Sequence, residues 1–190
     1  LSDTPRVAAI PELPLPPADK VAATCRAYTG GVGGAVSHQL WMAASHDPIL
    51  RRVFSAPGLL SGADGDVVQE SNRARQYYLE TGLRKAAATA HWLAERFPGA
   101  RIEFEDDWAR PEHIATRLPI DLVVSSVDTW GRGGRLGLWE MSQRFGVPAF
   151  LSAGASFLEA FVRIADERTA CPLHGYERLE TRTEPDGSDP

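Results

Sequence analysis

Apolar positions along this chain change their period several times, and each change marks an element. A short apolar run closes at Asp64. Over 76–97, Leu79, Leu83, Ala86, Ala90, Leu93, Ala94 and Phe97 recur at intervals of three and four, which predicts one long helix stopped by Pro98-Gly99. Arg101-Ile102-Glu103-Phe104-Glu105 alternates as a half-buried strand does, 111–118 reads as a short helix, and 120–127 is apolar enough for a strand covered on both faces. A helix over 135–145, with Leu136, Leu138, Trp139 and Met141 turned inward, and a strand over 148–153 follow. This order of strand and helix predicts a doubly wound, mostly parallel sheet with helices on both faces. The first strand, somewhere in 21–28, carries Thr24, Cys25 and Arg26 and reads as a poor buried strand.

The ends read differently. Pro11, Pro14, Pro16 and Pro17 remove backbone donors and fix φ, so 1–19 is expected to be an extended Pro-rich arm on the surface or on a partner. Residues 171–190 are expected to be a flexible tail, frayed over 180–190. One domain, 20–170, remains between them. A chain of 190 residues with 43% apolar content can bury one sizeable core, and it has no apolar run long enough to span a membrane. Its N-terminus lacks a basic region followed by an apolar stretch, which predicts a cytoplasmic protein. The net charge of −5, with no basic stripe, argues against nucleic acid as principal partner. Cys25 and Cys171 are too few for a disulfide framework or a paired Cys-x-x-Cys site, so no zinc is expected. His38, His46, His91 and His113 have no ligand-like spacing and are expected to be structural or exposed.

Candidate chemistry concentrates where the predicted strands end. Asp64-Gly65-Asp66-Val67-Val68-Gln69-Glu70-Ser71-Asn72-Arg73-Ala74-Arg75-Gln76 follows one apolar run, Gly82-Leu83-Arg84-Lys85 comes next, and Val123-Val124-Ser125-Ser126-Val127-Asp128 ends another. Arg75 and Lys85 supply cations for a polyanion, and Asp128 offers the short, hard carboxylate that magnesium takes. Together these stretches read as an ATP site. Upstream, Gly31-Val32-Gly33-Gly34-Ala35-Val36-Ser37 has the composition of a phosphate loop at a helix start, although glycine runs are also ordinary turns.

In this order the segments resemble the ThiF/MoeB superfamily, the ubiquitin-activating-type enzymes that adenylate a protein's C-terminal carboxylate. The shared pattern is an acidic pair after a strand, Ser-Asn-x-x-Arg-Gln, Gly-x-x-Lys opening a helix, an apolar strand ending in Asp, and an arginine a few residues on. Gly146-Val147-Pro148 before the last predicted strand also matches. The glycine loop departs from the pattern: Val36 stands where the last glycine would be, and a longer segment, with His46-Asp47-Pro48, separates it from Asp64.

The resemblance implies a Rossmann-like fold and adenylation that uses ATP and Mg²⁺. The acceptor would be the C-terminus of a small carrier protein, ubiquitin-like protein or peptide, and the active form a homodimer. It further implies catalytic roles for Arg75, Lys85 and Asp128, with the metal on Asp128. Cofactor contacts would come from Gly31, Gly33, Gly34, Asp64 at the ribose, Asn72, Arg75, Gln76, Lys85 and Arg135, the last preferred over Arg132. Asp66 is expected to be a turn or helix-cap acid. Cys171, with His174 three residues on, could accept an acyl group, but an idle thiol is the preferred reading. Two other classes stay open: a non-catalytic relative that recruits a protein or peptide, and a dinucleotide-dependent oxidoreductase.

Overall fold

A computed structural model describes residues 24–55, 57–77, 80–129, 133–155 and 160–166. Its strands are β1 (Arg26–Gly30), β2 (Leu59–Ala63), β3 (Arg101–Glu105), β4 (Leu122–Ser125), β5 (Ala149–Ala155) and β6 (Ala160–Asp166). Its helices are α1 (Ala35–His46), α2 (Pro48–Phe54), α3 (Lys85–Ala94), α4 (Glu112–Thr116) and α5 (Arg135–Arg144). The six strands form one sheet in the order β3-β2-β1-β4-β5-β6. The first five of that row run parallel, and β6 pairs antiparallel with β5 at the edge.

Alternation along the buried strands sorts the core into two layers. Ala27 of β1 and Leu60 of β2 face Trp41, Phe54, Trp92, Leu93 and Phe97 from the α1–α3 side. The next residue, Tyr28, faces the opposite way, toward Ile114, Leu138, Trp139 and Phe150 beneath α4 and α5. Neighbouring side chains on a strand point to opposite faces, so the sheet is covered by helices on both. Trp41 meets Phe54 and Phe97 edge-on, at 5.1 and 6.0 Å between ring centroids, in a favourable aromatic geometry. The doubly wound, mostly parallel Rossmann-like sheet expected from the pattern is the fold observed.

Several boundaries differ from expectation, each for a visible reason. The first strand begins at Arg26, so Thr24 and Cys25 precede it and Ala27 through Gly30 are buried. Those four residues sit at the centre of the sheet between β2 and β4, and the Tyr28 hydroxyl pairs with His113 Nδ1 at 3.2 Å, so β1 is a buried strand despite the residues before it. The helix expected over 76–97 is only α3. Gly82 has φ +85, its amide donates to the Val68 carbonyl, and Val68 N–H donates to Leu83 O at 2.8 Å. Backbone spent on that antiparallel contact, which continues as the Val67–Arg84 bridge, cannot also make helical bonds. Leu79 lies outside the described residues. His46-Asp47-Pro48 opens a helix: Asp47 accepts from the amides of Ile49 and Leu50, both at 2.9 Å, with Pro48 in the first position. The arm over 1–19, Trp130, Arg132, Phe157, Cys171 and the tail over 171–190 lie outside the described residues. Trp139 is a core residue, 5.3 Å from Phe150 between centroids.

Candidate active site

Strand order reverses between β1 and β4, and ligands of open parallel sheets bind at the carboxyl ends of the strands at such a point. The glycine segment leaves β1 there. Gly31 has φ +73, and a Cβ on it would lie 3.2 Å from the Ser126 carbonyl beyond β4, so only glycine fits. Ser126 Oγ stands 3.0 and 2.9 Å from the carbonyls of Gly30 and Gly31, and Ser37 Oγ donates to Gly31 O at 2.8 Å. The two serine hydroxyls also meet each other, so together they fix this turn.

The loop's own amides are largely committed. Gly31 and Val32 donate to Ala63 O at 3.0 and 3.3 Å, and Gly34 donates to Gly31 O at 3.0 Å. Gly33 donates to Asp64 Oδ2 at 2.9 Å. The donors left for an anion are those at the start of α1, whose N-cap Gly34 contributes no side-chain bond. Gly34, Ala35 and Val36 all line the cleft above them. The glycine run thus serves as a tight turn that presents a helix start, rather than as a cradle of free amides.

Asp64 is the first residue past β2 and is buried, its second oxygen accepting from the Asp66 amide at 3.0 Å. Burial raises its pKa above the ordinary carboxylate value, while the amides of Asp66 and Gly33, and then the Lys85 charge, work against that rise. Lys85 opens α3 and is only 8% exposed. Its Nζ lies 2.9 Å from Asp66 Oδ2, and its amide donates to Asp66 O, also at 2.9 Å. Asp66, expected as a turn or cap acid, sits in the turn but orients Lys85 instead of capping the helix.

The segment between them is a 3-10 turn, Glu70–Asn72, in which Asn72 Oδ1 accepts from Gln69 N–H at 2.8 Å. The carbonyl of Asn72 takes the amides of both Arg75 and Gln76 at 2.9 Å, which fixes where those side chains start. Gln76 is buried, and its Oε1 has no hydrogen-bond partner among the described residues. An orphaned buried carbonyl costs about 1–3 kcal/mol, so this one is suited to a donor from outside the described residues. Tyr77, the next residue, is held by its amide to His38 Nδ1 at 3.1 Å. His38 is buried and stacks nearly parallel to Trp92 and Tyr77, at 5.2 and 6.1 Å, which makes it a structural group as expected.

These pieces converge on one cleft of about 950 Å³. Its lining includes Gly31, Gly34, Asp64, Asn72, Arg75, Gln76, Lys85 and Asp128, contributed by four separate stretches of sequence. Arg75 and Asp128 are exposed within it. Two expected residues stand apart from the lining. Gly33 has its amide on Asp64, and Arg135 is 3% exposed, its Nε on the Val127 carbonyl and its Nη1 3.2 Å from Ser152 Oγ. Arg135 therefore holds the backbone just before Asp128 and does not reach into the cleft. A smaller cavity of about 320 Å³, lined by residues of α4 and α5, contains none of the expected residues.

Sequence reasoning missed Ser37, Ser126 and Trp108. A serine inside an apolar run and a tryptophan in a polar loop were the only signals available for the last two. Among the described residues no three of His, Cys, Asp and Glu cluster as a metal site. A single exposed carboxylate, Asp128, suits magnesium that takes most of its ligands from phosphate oxygens and water. The cleft offers a helix start, Arg75 and the Asp66-paired Lys85 to a polyanion, and the buried Asp64 and the indole of Trp108 to an uncharged body attached to it.

No protein-family model matches the sequence, and no curated protein matches it. Similar folds are found among solved structures. E. coli MccB with succinimide superposes at TM-score 0.59 and 17% identity, over 85% of this chain and 49% of that one. MccB with AMPCPP and MccA gives TM-score 0.62 at 16% identity, again over 85% and 49%. E. coli tRNA N6-threonylcarbamoyladenosine dehydratase, TcdA, in complex with AMP gives TM-score 0.51 at 24% identity, over 68% and 49%. The chain spans about half the length of the chains it matches. Its doubly wound, mostly parallel sheet is the fold it shares with MccB and TcdA.

Proposed function

We propose that this chain belongs to the ThiF/MoeB superfamily and that its cleft binds ATP with Mg²⁺ to adenylate a carboxylate. The observation that carries this reading is the convergence of Asp64, Asn72, Arg75, Gln76, Lys85 and Asp128 on one cleft at the switch point of the sheet. MccB and TcdA, the similar folds, are adenylating enzymes of this type, and structures of them contain AMPCPP and AMP. The acceptor is the C-terminus of a small carrier protein, ubiquitin-like protein or peptide. A peptide has support from MccB structures that contain MccA.

In this reaction a carboxylate oxygen attacks the α-phosphorus, an acyl–phosphate bond forms, and the bond to the bridging oxygen breaks to release pyrophosphate. Both reactants are anions, so the barrier falls when fixed cations face the charge that gathers in the transition state. Lys85, held by Asp66, and Arg75 fill that role. Asp64 accepts hydrogen bonds from the ribose, and a donor from the substrate satisfies Gln76 Oε1. Mg²⁺ at Asp128 would neutralise triphosphate charge. Arg135 acts one step back by fixing the Val127 carbonyl beside Asp128. The active form is a homodimer, which light scattering tests by deciding between one chain and two, and the protein works in the cytoplasm.

The test is exchange of labelled pyrophosphate into ATP in the presence of candidate carrier proteins and peptides. Exchange with at least one of them, lost in Asp128→Ala with the fold intact by circular dichroism, is the expected result. One observation favours a second reading, a non-catalytic recruiter of a protein or peptide: the amides of Gly31 to Gly34 are already bonded within the protein. Such a protein would capture its partner without binding ATP.

A further inference from the structure

Trp108 stands out among the residues that the proposed reaction leaves unused. It is 62% exposed, far more than an indole normally is, and it is the one aromatic among the described residues that line the cleft. Its position is built rather than incidental. Trp108 follows β3, whose partner in the sheet is β2, and the loop that carries it folds back over Gly65, the residue next to Asp64. A Cβ on Gly65 would lie 3.0 Å from Trp108 Cδ2 and 3.1 Å from Cε2, so the indole lies against the glycine backbone and any larger residue there would displace it.

The loop is pinned on both sides. Asp107 Oδ1 accepts from the Trp108 amide at 2.8 Å, and its carboxylate pairs with Arg110 at 3.1 Å. Arg84 bridges the two loops, its Nε 2.8 Å from Asp106 Oδ2 and its Nη1 3.3 Å from the Gly65 carbonyl. Ala109, the following residue, is buried, packed where a Cβ on Gly30 would lie 3.2 Å from its own Cβ. An exposed aromatic held this firmly at the mouth of a cleft has a surface prepared for a flat partner.

A phosphate chain has no use for an indole face, whereas a nucleobase stacks on one whatever its sequence of ring atoms. Given the proposed ribose contact at Asp64, a base attached to that ribose comes within reach of the residue over Gly65. We propose that Trp108 is the platform on which the purine of the nucleotide stacks, and that it sets the preference of this cleft for a base-bearing triphosphate over a bare polyphosphate. This rests on the reading of the cleft as a nucleotide site.

The experiment titrates ATP with Mg²⁺, and separately inorganic tripolyphosphate with Mg²⁺, into the full chain and into Trp108→Ala and Trp108→Phe, followed by heat and by tryptophan emission. In the parent, ATP quenches emission and tripolyphosphate does not. Trp108→Ala weakens ATP by about fivefold or more, the low end of what a lost stacking partner costs, and leaves tripolyphosphate unchanged. Trp108→Phe, which keeps an aromatic face, stays near the parent. ATP bound equally tightly by Trp108→Ala overturns the platform while the nucleotide reading stands, and so does an equal loss for both ligands. A variant that binds ATP normally but fails to capture a partner protein would make Trp108 a docking anchor, which also overturns it. No ATP binding by the parent would remove the nucleotide reading and the platform with it.

Discussion

Burial of His38 should make this protein acid-sensitive. Its pKa is lowered from 6.5 to about 4, first by burial and then by the charges of Lys85 and Arg96. The unfolded chain therefore holds the proton over a range where the folded one does not. Stability from this group is fully present above pH 6.5, falls as the pH drops, and is gone below about 4. The interval corresponds to about 3 kcal/mol, a large share of a typical domain's stability. Geometry agrees, because Nδ1 accepts from the Tyr77 amide and a proton there would set two donors against each other. His38→Phe keeps a ring beside Trp92 and Tyr77 but cannot titrate. Urea unfolding of both proteins at several values between pH 7.5 and 4, with m-values compared, measures the effect. The parent should lose about 3 kcal/mol more than the variant over that range, although the variant starts lower at pH 7.5, by about 1–3 kcal/mol for the unpartnered Tyr77 amide and further for the lost bond between His38 Nε2 and Thr89 Oγ1. Parallel pH profiles would refute the reasoning. Because the same bond holds the segment with Arg75 and Gln76, nucleotide affinity should weaken in the same range.

Lys85→Ala and Arg75→Ala should each cost several kcal/mol of transition-state stabilisation in pyrophosphate exchange, on the order of the ~3–4 kcal/mol lost with one preorganised donor, with the melting temperature nearly unchanged in Arg75→Ala and lowered in Lys85→Ala, whose buried ammonium pairs with Asp66. Activity within a few-fold of the parent would remove them from the reaction. Asp128→Ala should abolish exchange, and added Mg²⁺ should not restore it. Trp139→Ala should destabilise the fold by about 3–5 kcal/mol, because the ring is buried against Phe150. A loss under 1 kcal/mol in urea would mean that this side chain is not core.

The sheet was legible because burial forces regular patterns: 120–127 contains β4, and 135–145 matches α5 almost to the residue. What failed was local pattern without knowledge of pairing. Ala86, Ala90 and Leu93 do belong to a helix, but Leu83 fell into the same period by coincidence, and Gly82 and the contact with Val68 reserve that backbone for another use. The start of β1 was misplaced because Thr24 and Cys25 were counted in. The antiparallel β6 follows β5 with no crossover pattern to announce it. Within the candidate site, residues brought to strand ends by topology were readable from spacing. Roles that depend on where a side chain turns were not: Arg135 goes inward to Val127, and Gly33 gives its amide to Asp64.

The measurement closest to the central claim is a calorimetric titration of ATP with Mg²⁺ into the full chain, repeated with Lys85→Ala. One nucleotide per chain is predicted for the parent. The variant, its fold confirmed by circular dichroism, should bind at least tenfold more weakly, since a charge-assisted contact is worth about 1.5–3 kcal/mol. No binding by the parent at millimolar ATP, or equal binding by the variant, would contradict the account.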